Sequence, residues 1–317
     1  MHLVLKVNGI SVAFVCGLLV AVSPSAAASA QTGVAGSAAA ESRKSSVVGD
    51  LRLHQLRSEV FGNTRMIRVL LPRGYDERVN RHRRYPVLYL NDGQNLFDAA
   101  TSVFNPLEWR VDETLDRLIG ARQLEPLIVV GVDNAGRSGR ANEYLPYPDA
   151  YLRPPLPNPE CSKYPDFLLR EVMPFVERLY RISTDPRQTG LGGSSYGALI
   201  ALYTVVNRPG AFGYLLLESP SLYVSDGRLI EACRNARRWP RKVYVGVGTN
   251  EGGRADCRPG DLNQEAVQDV LKLRRKLEAA GLGRGRLKIV VDECAVHNED
   301  AWASRLPAAL RFLYGRG

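Results

Sequence analysis

Eight residues constrain this chain more than any others: Gly190-Leu-Gly-Gly-Ser-Ser-Tyr-Gly197. They hold a G-x-S-x-G match centred on Ser195. A short polar stretch, 185–189, leads in, and the apolar run Ala198-Leu-Ile-Ala-Leu-Tyr-Thr-Val-Val206, long enough for a helix, follows. A serine between glycines at a strand–turn–helix junction is the pattern of a nucleophile elbow, where the turn is sharp and neighbouring backbones pass close by. Such a turn exposes its hydroxyl at the end of a sheet, beside a helix N-terminus whose dipole favours negative charge. The competing reading is an ordinary glycine-rich turn in which Ser195 caps the helix. A cap demands nothing elsewhere in the chain, whereas a serine nucleophile needs a base, and the base needs an orienting acid.

An elbow of this kind belongs to a parallel sheet, and the rest of the chain supplies one. Strand patterns fall at 53–60, 65–71, 86–91, 127–133, 188–194, 213–218, 242–249 and 287–292. The later ones are continuous Val/Ile/Leu/Gly runs, as expected of strands buried on both faces. Helical patterns fall at 110–119, 164–180, 198–207, 227–235, 264–280 and 299–314. This alternation predicts an α/β fold, a mostly parallel central sheet with helices on both faces. The first two strands, joined through Gly62-Asn63, read as an antiparallel hairpin at one edge. With 317 residues, 45% hydrophobic and 24% charged, the chain has the size and composition of one globular domain with a large core. The segment 134–161 breaks the rhythm. It is rich in Gly, Pro, Tyr and Arg and is expected to be irregular, lying over the strand C-termini where ligands bind. Tyr144, Tyr147 and Tyr151 there could offer aromatic faces to a sugar, aryl or catechol group, and Arg137 and Arg140 could meet a carboxylate. Surface packing is the commoner meaning of such residues.

Histidine is scarce. His2 falls in a removable leader, His54 in an early strand and His82 in the basic run Arg81-His-Arg-Arg84. His297 instead follows the apolar strand at 287–292, in a loop before the last helix, where a base can be held on a rigid scaffold and still reach a substrate. The acid should fall between Ser195 and His297 in chain order. Glu251, just past the strand at 242–249, is the candidate that would hold the His297 tautomer and stabilise its imidazolium. Asp256, further along the same loop, competes with it. Asp226 looks more like an N-cap for a helix starting at Gly227. For the oxyanion, one N–H should come from Tyr196, after the nucleophile, and a second from Gln94 in the loop Asp92-Gly-Gln-Asn-Leu-Phe97. A plain Asp-Gly turn is the equal alternative for that loop.

The N-terminus reads as an export signal. Lys6 precedes a largely apolar stretch, and Ala28-Ser-Ala30 supplies a cleavage site before Gln31, so residues 1–30 are assigned as a signal peptide. Residues 31–50, rich in Ala, Gly and Ser at their start, are expected to be a flexible lead-in, and 51–317 the domain. No other segment could span a membrane. The mature chain would be secreted or periplasmic and would keep Cys161, Cys233, Cys257 and Cys294. Four cysteines allow three pairings. Cys257 with Cys294 is preferred because it would clamp the loops of the candidate acid and base, and buried free thiols are the alternative. They lack zinc-site spacing, and no metal site is expected. The net charge of +9 and the cluster 234–242 suit a solvated surface or non-specific contact with acidic polymers, and no nucleic-acid recognition motif is present.

Several stretches together resemble the α/β-hydrolase esterase family that includes esterase D, the enterochelin esterases, the feruloyl and acetylxylan esterases and the mycolyltransferases. They are Tyr85-Pro-Val-Leu-Tyr-Leu-Asn-Asp-Gly-Gln-Asn-Leu-Phe-Asp98, Trp109-Arg-Val-Asp-Glu113, Ile128-Val-Val-Gly-Val-Asp-Asn134, Asn142-Glu-Tyr-Leu-Pro146, the elbow, Ser219-Pro-Ser-Leu-Tyr223, Gly248-Thr-Asn-Glu251 and His297-Asn-Glu-Asp-Ala-Trp302. The resemblance runs from about residue 50 to the C-terminus. It implies an α/β-hydrolase fold and a serine carboxylester hydrolase with Ser195, Glu251 and His297 as triad. It implies no metal or organic cofactor and a small-molecule or polysaccharide ester as substrate. Feruloyl-esterase-like members carry aspartate where Glu251 stands. Trp109, Arg140 and Tyr144 are the candidate substrate contacts. Transfer of the acyl group to a sugar, as in the mycolyltransferases, and a non-catalytic binding protein on the same fold are the rival expectations. The oligomeric state is not readable from the sequence.

Overall fold

The computed structural model describes residues 44–103 and 106–315. The expected signal peptide and residues 31–43 of the lead-in lie outside the described residues. Eight strands form one sheet in the order β1-β2-β4-β3-β5-β6-β7-β8. They are Asp50–Arg57 (β1), Thr64–Leu71 (β2), Val87–Asn91 (β3), Ile128–Val132 (β4), Thr189–Ser194 (β5), Tyr214–Glu218 (β6), Lys242–Gly248 (β7) and Leu287–Asp292 (β8). β1 pairs antiparallel with β2, and β2 with β4, while every pair from β4 to β8 is parallel. The mostly parallel sheet with an antiparallel edge is the α/β-hydrolase architecture.

The strands hold the centre because both faces are apolar. Val87 and Tyr89 of β3 join one core with Leu191, Leu215 and Val243, whereas Leu88 and Leu90 join the other with Val129, Leu216 and Tyr244. The alternation is the period of two that a pleated strand imposes. Helices Val111–Gly120 (α1) and Glu299–Tyr314 (α8) contribute to the second core. The first core takes the run of Tyr164–Asp166 (α3), a π-helical turn at Phe167–Val172 and Met173–Leu179 (α4). It also takes Tyr196–Asn207 (α5), Arg228–Ala232 (α6) and Glu265–Ala279 (α7).

The segment expected to be irregular contains a helix, Gly136–Tyr144 (α2). Its sequence, GRSGRANEY, has two glycines and no apolar period, so nothing in the pattern announces it. Tertiary pairing holds it instead: Glu143 meets the buried Arg65 of β2, and Arg140 meets Asp92. Two smaller expectations also change. The end of the lead-in is tied down, because Ser45 donates to Asp98, Ser46 to Asp98 and Glu108, and the Val48 N–H to Asp112, and β1 starts at Asp50. Asp226 is not the cap of α6: Gly227, in the left-handed region, takes that position with no side-chain bond.

Candidate active site

The site forms at the downstream end of the sheet, where the parallel strands finish. β5 ends at Ser194, and Ser195 turns the chain into α5 with φ 56° and ψ −128°, a conformation that favours glycine. Its side chain makes no capping bond, which removes the helix-cap reading. The flanking glycines are demanded by packing. A Cβ on Gly193 would stand 2.7 Å from the Gly197 carbonyl carbon, and one on Gly197 would stand 2.7 Å from Asp92 Oδ2. The strain is held in place by a main-chain bond from the Ser195 N–H to Glu218 O (3.0 Å) and by Asn91, whose amide donates to Gly197 O at 2.7 Å.

The loops after β7 and β8 bring Glu251 and His297 together. His297 Nδ1 lies 2.6 Å from Glu251 Oε2. The other carboxylate oxygen accepts from the Gly248 N–H and from Ser219 Oγ at 2.7 Å. Burial alone would push the Glu251 carboxyl up, but the bonds from His297, Gly248 and Ser219 outweigh it, and the group stays below the ordinary glutamate value. The two loops cross closely. The Asn250 N–H donates to Ala295 O, the Cys294 N–H donates to Thr249 Oγ1, and a Cβ on Gly248 would fall 2.0 Å from Ala295 O. A disulfide, Cys257–Cys294, joins the same two loops, and Cys161 and Cys233 are buried free thiols. Asp256, the competing acid, is exposed and makes no bond to His297.

Ser219 is the part of this arrangement that sequence reasoning missed. It follows β6 with φ 42° and is buried. Its oxygen receives Trp302 Nε1 (2.9 Å) and Arg305 Nη2 (3.4 Å), both obligatory donors, so its single proton goes to Glu251. Arg305 also binds Glu218 Oε2 at 2.8 Å and Asp292 Oδ2 at 3.1 Å. Burial pushes the Glu218 carboxyl up to about 7 against the pull of Arg305, and Glu251 and Asp292 add to the rise. Trp302 packs edge-on against His297 at 5.2 Å between centroids. The available signal was positional, since Ser219, Trp302 and Arg305 come just after β6 or on the helix after His297.

Ser195 and His297 line two cavities in common, one of about 540 Å³ with Ser221, Tyr223, Glu251 and Glu265, and one of about 210 Å³ with Asp92, Asn95, Arg140 and Trp302. Among the described residues no hydrogen bond joins Ser195 to His297. The Ser195 hydroxyl lies 3.4 Å from Ser221 Oγ. The side chain of His297 is 36% exposed and that of Glu251 12%, so the imidazole keeps a face toward the cavity while its partner is shielded. A further cavity of about 600 Å³, between Pro72–Glu77 and α1, has no serine or histidine in its lining.

The other candidates fare unevenly. Tyr196 is the first residue of α5, so its N–H is one that the helix leaves without an intrahelical acceptor. Gln94 sits in a buried 3-10 turn, and its flanking residues Asp92 and Asn95, not Gln94 itself, line the smaller cavity. Gly93 is required for a different reason than approach to a ligand: a Cβ there would meet the Gly131 carbonyl carbon of β4 at 2.6 Å. Trp109 is buried in the core against Trp302, and Tyr144 is fully buried against Tyr164. Neither lines a cavity beside Ser195, because each was recruited to packing between helix and sheet. Arg140 does line the smaller cavity, but its guanidinium grips both oxygens of Asp92 at 2.8 Å and lies between the rings of Tyr144 and Tyr196. The Tyr196 hydroxyl in turn donates to the buried Asp149, which also accepts from Tyr223 at 3.3 Å.

The family model described as "Putative esterase" matches residues 58–313. The chain belongs to that family and is a carboxylic ester hydrolase. The uncharacterised protein YbbA of Bacillus subtilis (strain 168) is 21% identical over 242 residues, which cover 73% of this chain and 86% of that one. Among solved structures, a ferulic acid esterase superposes with a TM-score of 0.58 at 18% identity, over 84% of this chain and 98% of its own. The enterobactin esterase FES of Shigella flexneri superposes with a TM-score of 0.62 at 19% identity, over 83% of this chain and 59% of its own. At these identities the superpositions speak for the fold.

Proposed function

We propose that this esterase works through an acyl-enzyme formed on Ser195, with His297 as general base and Glu251 as its orienting acid. The observation that carries the reading is the 2.6 Å bond between His297 Nδ1 and Glu251, formed in a cavity shared with a serine held at φ 56°. With Nδ1 committed to Glu251, Nε2 is the nitrogen left to take the Ser195 proton. The hydroxyl leaves Ser221 and attacks the ester carbonyl as that proton moves to His297. The oxyanion develops against the Tyr196 N–H, and the Gln94 N–H, the second donor in this reading, sits in the turn between the cavity-lining Asp92 and Asn95. His297 then gives its proton to the leaving alcohol, and water, deprotonated by the same imidazole, releases the acid. Ser219 is a positioning residue in this scheme, since it carries the influence of Arg305 to Glu251.

The substrate class proposed is a feruloyl or acetyl sugar ester or a siderophore ester, since a ferulic acid esterase and an enterobactin esterase share the fold. Export is proposed from the leader pattern of residues 1–30 together with the Cys257–Cys294 disulfide, a bond that oxidising compartments favour. Ser195→Ala should lower hydrolysis of a p-nitrophenyl ester by on the order of 10⁴-fold or more and abolish labelling by a fluorophosphonate. Full activity of that variant in clean protein would remove Ser195 from the reaction.

A further inference from the structure

The opposite end of the sheet, where the parallel strands begin, carries a different chemistry. Five connections lead into β3, β5, β6, β7 and β8, at residues 81–86, 181–188, 208–213, 234–241 and 283–286. Together they hold twelve arginines, no lysine and a single carboxylate, Asp185. Contacts show that they form one band. The Tyr85 N–H donates to Arg181 O, and Arg84 Nη1 donates to Ile182 O. A Cβ on Gly213 would touch the Arg187 backbone at 2.7 Å, and one on Gly210 would touch Arg238 Cδ at 3.2 Å. Arg286 donates to the carbonyls of Pro240 and Arg241. Five adjacent strands at ~4.8 Å spacing make the band about 19 Å wide.

Three arginines of the band form ion pairs: Arg83 with Glu125, Arg187 with Asp185, and Arg208 with Asp166. Arg237, Arg238, Arg241 and Arg284 are exposed and make no ion pair among the described residues. Helix C-termini attract cations only within their last turn. These four lie beyond any last turn, since α7 ends at Ala279 and the short turn after α6 ends at Asn235. The rings of the band are largely withdrawn, since Tyr85 and Phe212 are buried, Trp239 packs half-buried on the core and His82 is engaged by Arg81, while Tyr151, the most exposed large aromatic among the described residues, lies at the other end beside Tyr223. The band has instead two exposed aliphatic side chains at its β3–β5 flank, Val79 (84% exposed) and Leu179 (49%).

Arginine forks match phosphate oxygens, a broad basic face with few exposed rings suits a planar array of phosphates, and exposed aliphatic groups can enter the acyl boundary of a bilayer. We propose that this end docks on an anionic phospholipid surface, leaving the cavities at Ser195 turned away from the bilayer and open to solvent. The test is co-sedimentation of the full chain with phosphatidylcholine vesicles, with and without phosphatidylglycerol. It compares the wild type with Arg237→Gln/Arg238→Gln/Arg241→Gln/Arg284→Gln and with Val79→Ser. All three proteins carry the same N-terminal residues, so differences among them report on the band. At roughly fivefold per arginine, the fourfold variant should lose on the order of 10²–10³ in affinity for the anionic vesicles. Val79→Ser should lose severalfold, and both should keep wild-type ester hydrolysis as the sign of an intact fold. Wild-type binding should fall steeply as salt rises. Equal binding by the fourfold variant, or equal binding to neutral and anionic vesicles, would overturn the proposal. Tighter binding to DNA or to an acidic polysaccharide than to anionic vesicles at matched charge would overturn the choice of a bilayer.

Discussion

The two ends of the sheet are built from the same strands and treat charge in opposite ways. At the downstream end three carboxylates are taken out of water and each is met. Asp92 is gripped by Arg140, Glu218 by Arg305, and Glu251 by His297, Ser219 and the Gly248 N–H. At the upstream end the charges are cationic, exposed and in part unpaired. Burial accounts for the difference. A charge in a low-dielectric interior costs several kcal/mol unless partners surround it, so a buried charged site must be completed to be stable. An exposed charge is solvated and imposes no geometry on its neighbours. The downstream end therefore fixes positions, as chemistry requires, and the upstream end fixes only a density of charge.

The comparison is tested most sharply by removing one arginine at each end. Arg305→Met leaves Glu218 and Asp292 without their shared cation and should destabilise the fold by roughly 3–5 kcal/mol at pH 8. The cost should shrink toward pH 5. Glu218, already raised to about 7, rises further without Arg305, so the variant's folded state holds a proton there that its unfolded chain has lost, and stability falls as pH rises through that window. Thermal unfolding across pH 5–8 checks both statements. Arg241→Met, upstream, should change stability by no more than about 0.5 kcal/mol at either pH. Equal effects at the two ends would mean that the downstream network is not what holds its loops.

A smaller effect is expected from Cys257→Ser combined with Cys294→Ser. The disulfide closes a separation of 37 residues, for which chain entropy gives about 4 kcal/mol as an upper figure. The loops keep their other cross-links at Asn250–Ala295 and Thr249–Cys294, so a loss of roughly 2–3 kcal/mol is expected. The kcat should fall with it, because the bond joins the loops that present Glu251 and His297. Denaturant unfolding and steady-state rates separate the two consequences. Ser219→Ala should cost roughly 1–3 kcal/mol of stability, because it leaves the buried Trp302 Nε1–H without its acceptor, and should lower kcat roughly tenfold with little change in KM, because it removes one bond to Glu251. A change confined to KM would place Ser219 on the substrate instead.

Legibility also divides along the molecule. The elbow, the eight strands and the placing of Ser195, Glu251 and His297 at strand ends could be read because each rests on local rules: glycines where backbones touch, continuous apolar runs where both faces are buried, and loops at strand ends. α2 was invisible because its stability comes from Arg65 and Asp92, residues 78 and 48 positions away in sequence from their partners Glu143 and Arg140. Trp109 and Tyr144 were misjudged because an aromatic near a strand end looks the same in sequence whether it faces a cavity or the core. Only the packing of Trp302 and Tyr164 against them decides. The same holds for Arg140, whose charge is directed to Asp92. Ser219 and Arg305 act through partners from three different strand-end loops, a convergence no single stretch of sequence encodes. The upstream arginines are plain in the composition, but their contiguity appears only once five separate loops are set side by side.

The smallest effect concerns the cost of that contiguity. Arg237, Arg238 and Arg241 lie within five residues of one another with no carboxylate among them, and Arg286 is folded against the same turn. Like charges this close repel even in water, by about 1 kcal/mol at 4 Å and less at the greater separations of long side chains. Arg238→Gln should therefore raise stability slightly, by a few tenths of a kcal/mol at low salt, and the gain should vanish once added salt shortens the screening length below the spacing of the guanidinium groups. Arg305→Gln, downstream, should show the opposite sign and almost no salt dependence, because its partners are buried where ions do not reach. Thermal midpoints of the two variants at low and high ionic strength test this directly. If both respond to salt alike, the two ends share one electrostatic regime and the contrast between them fails.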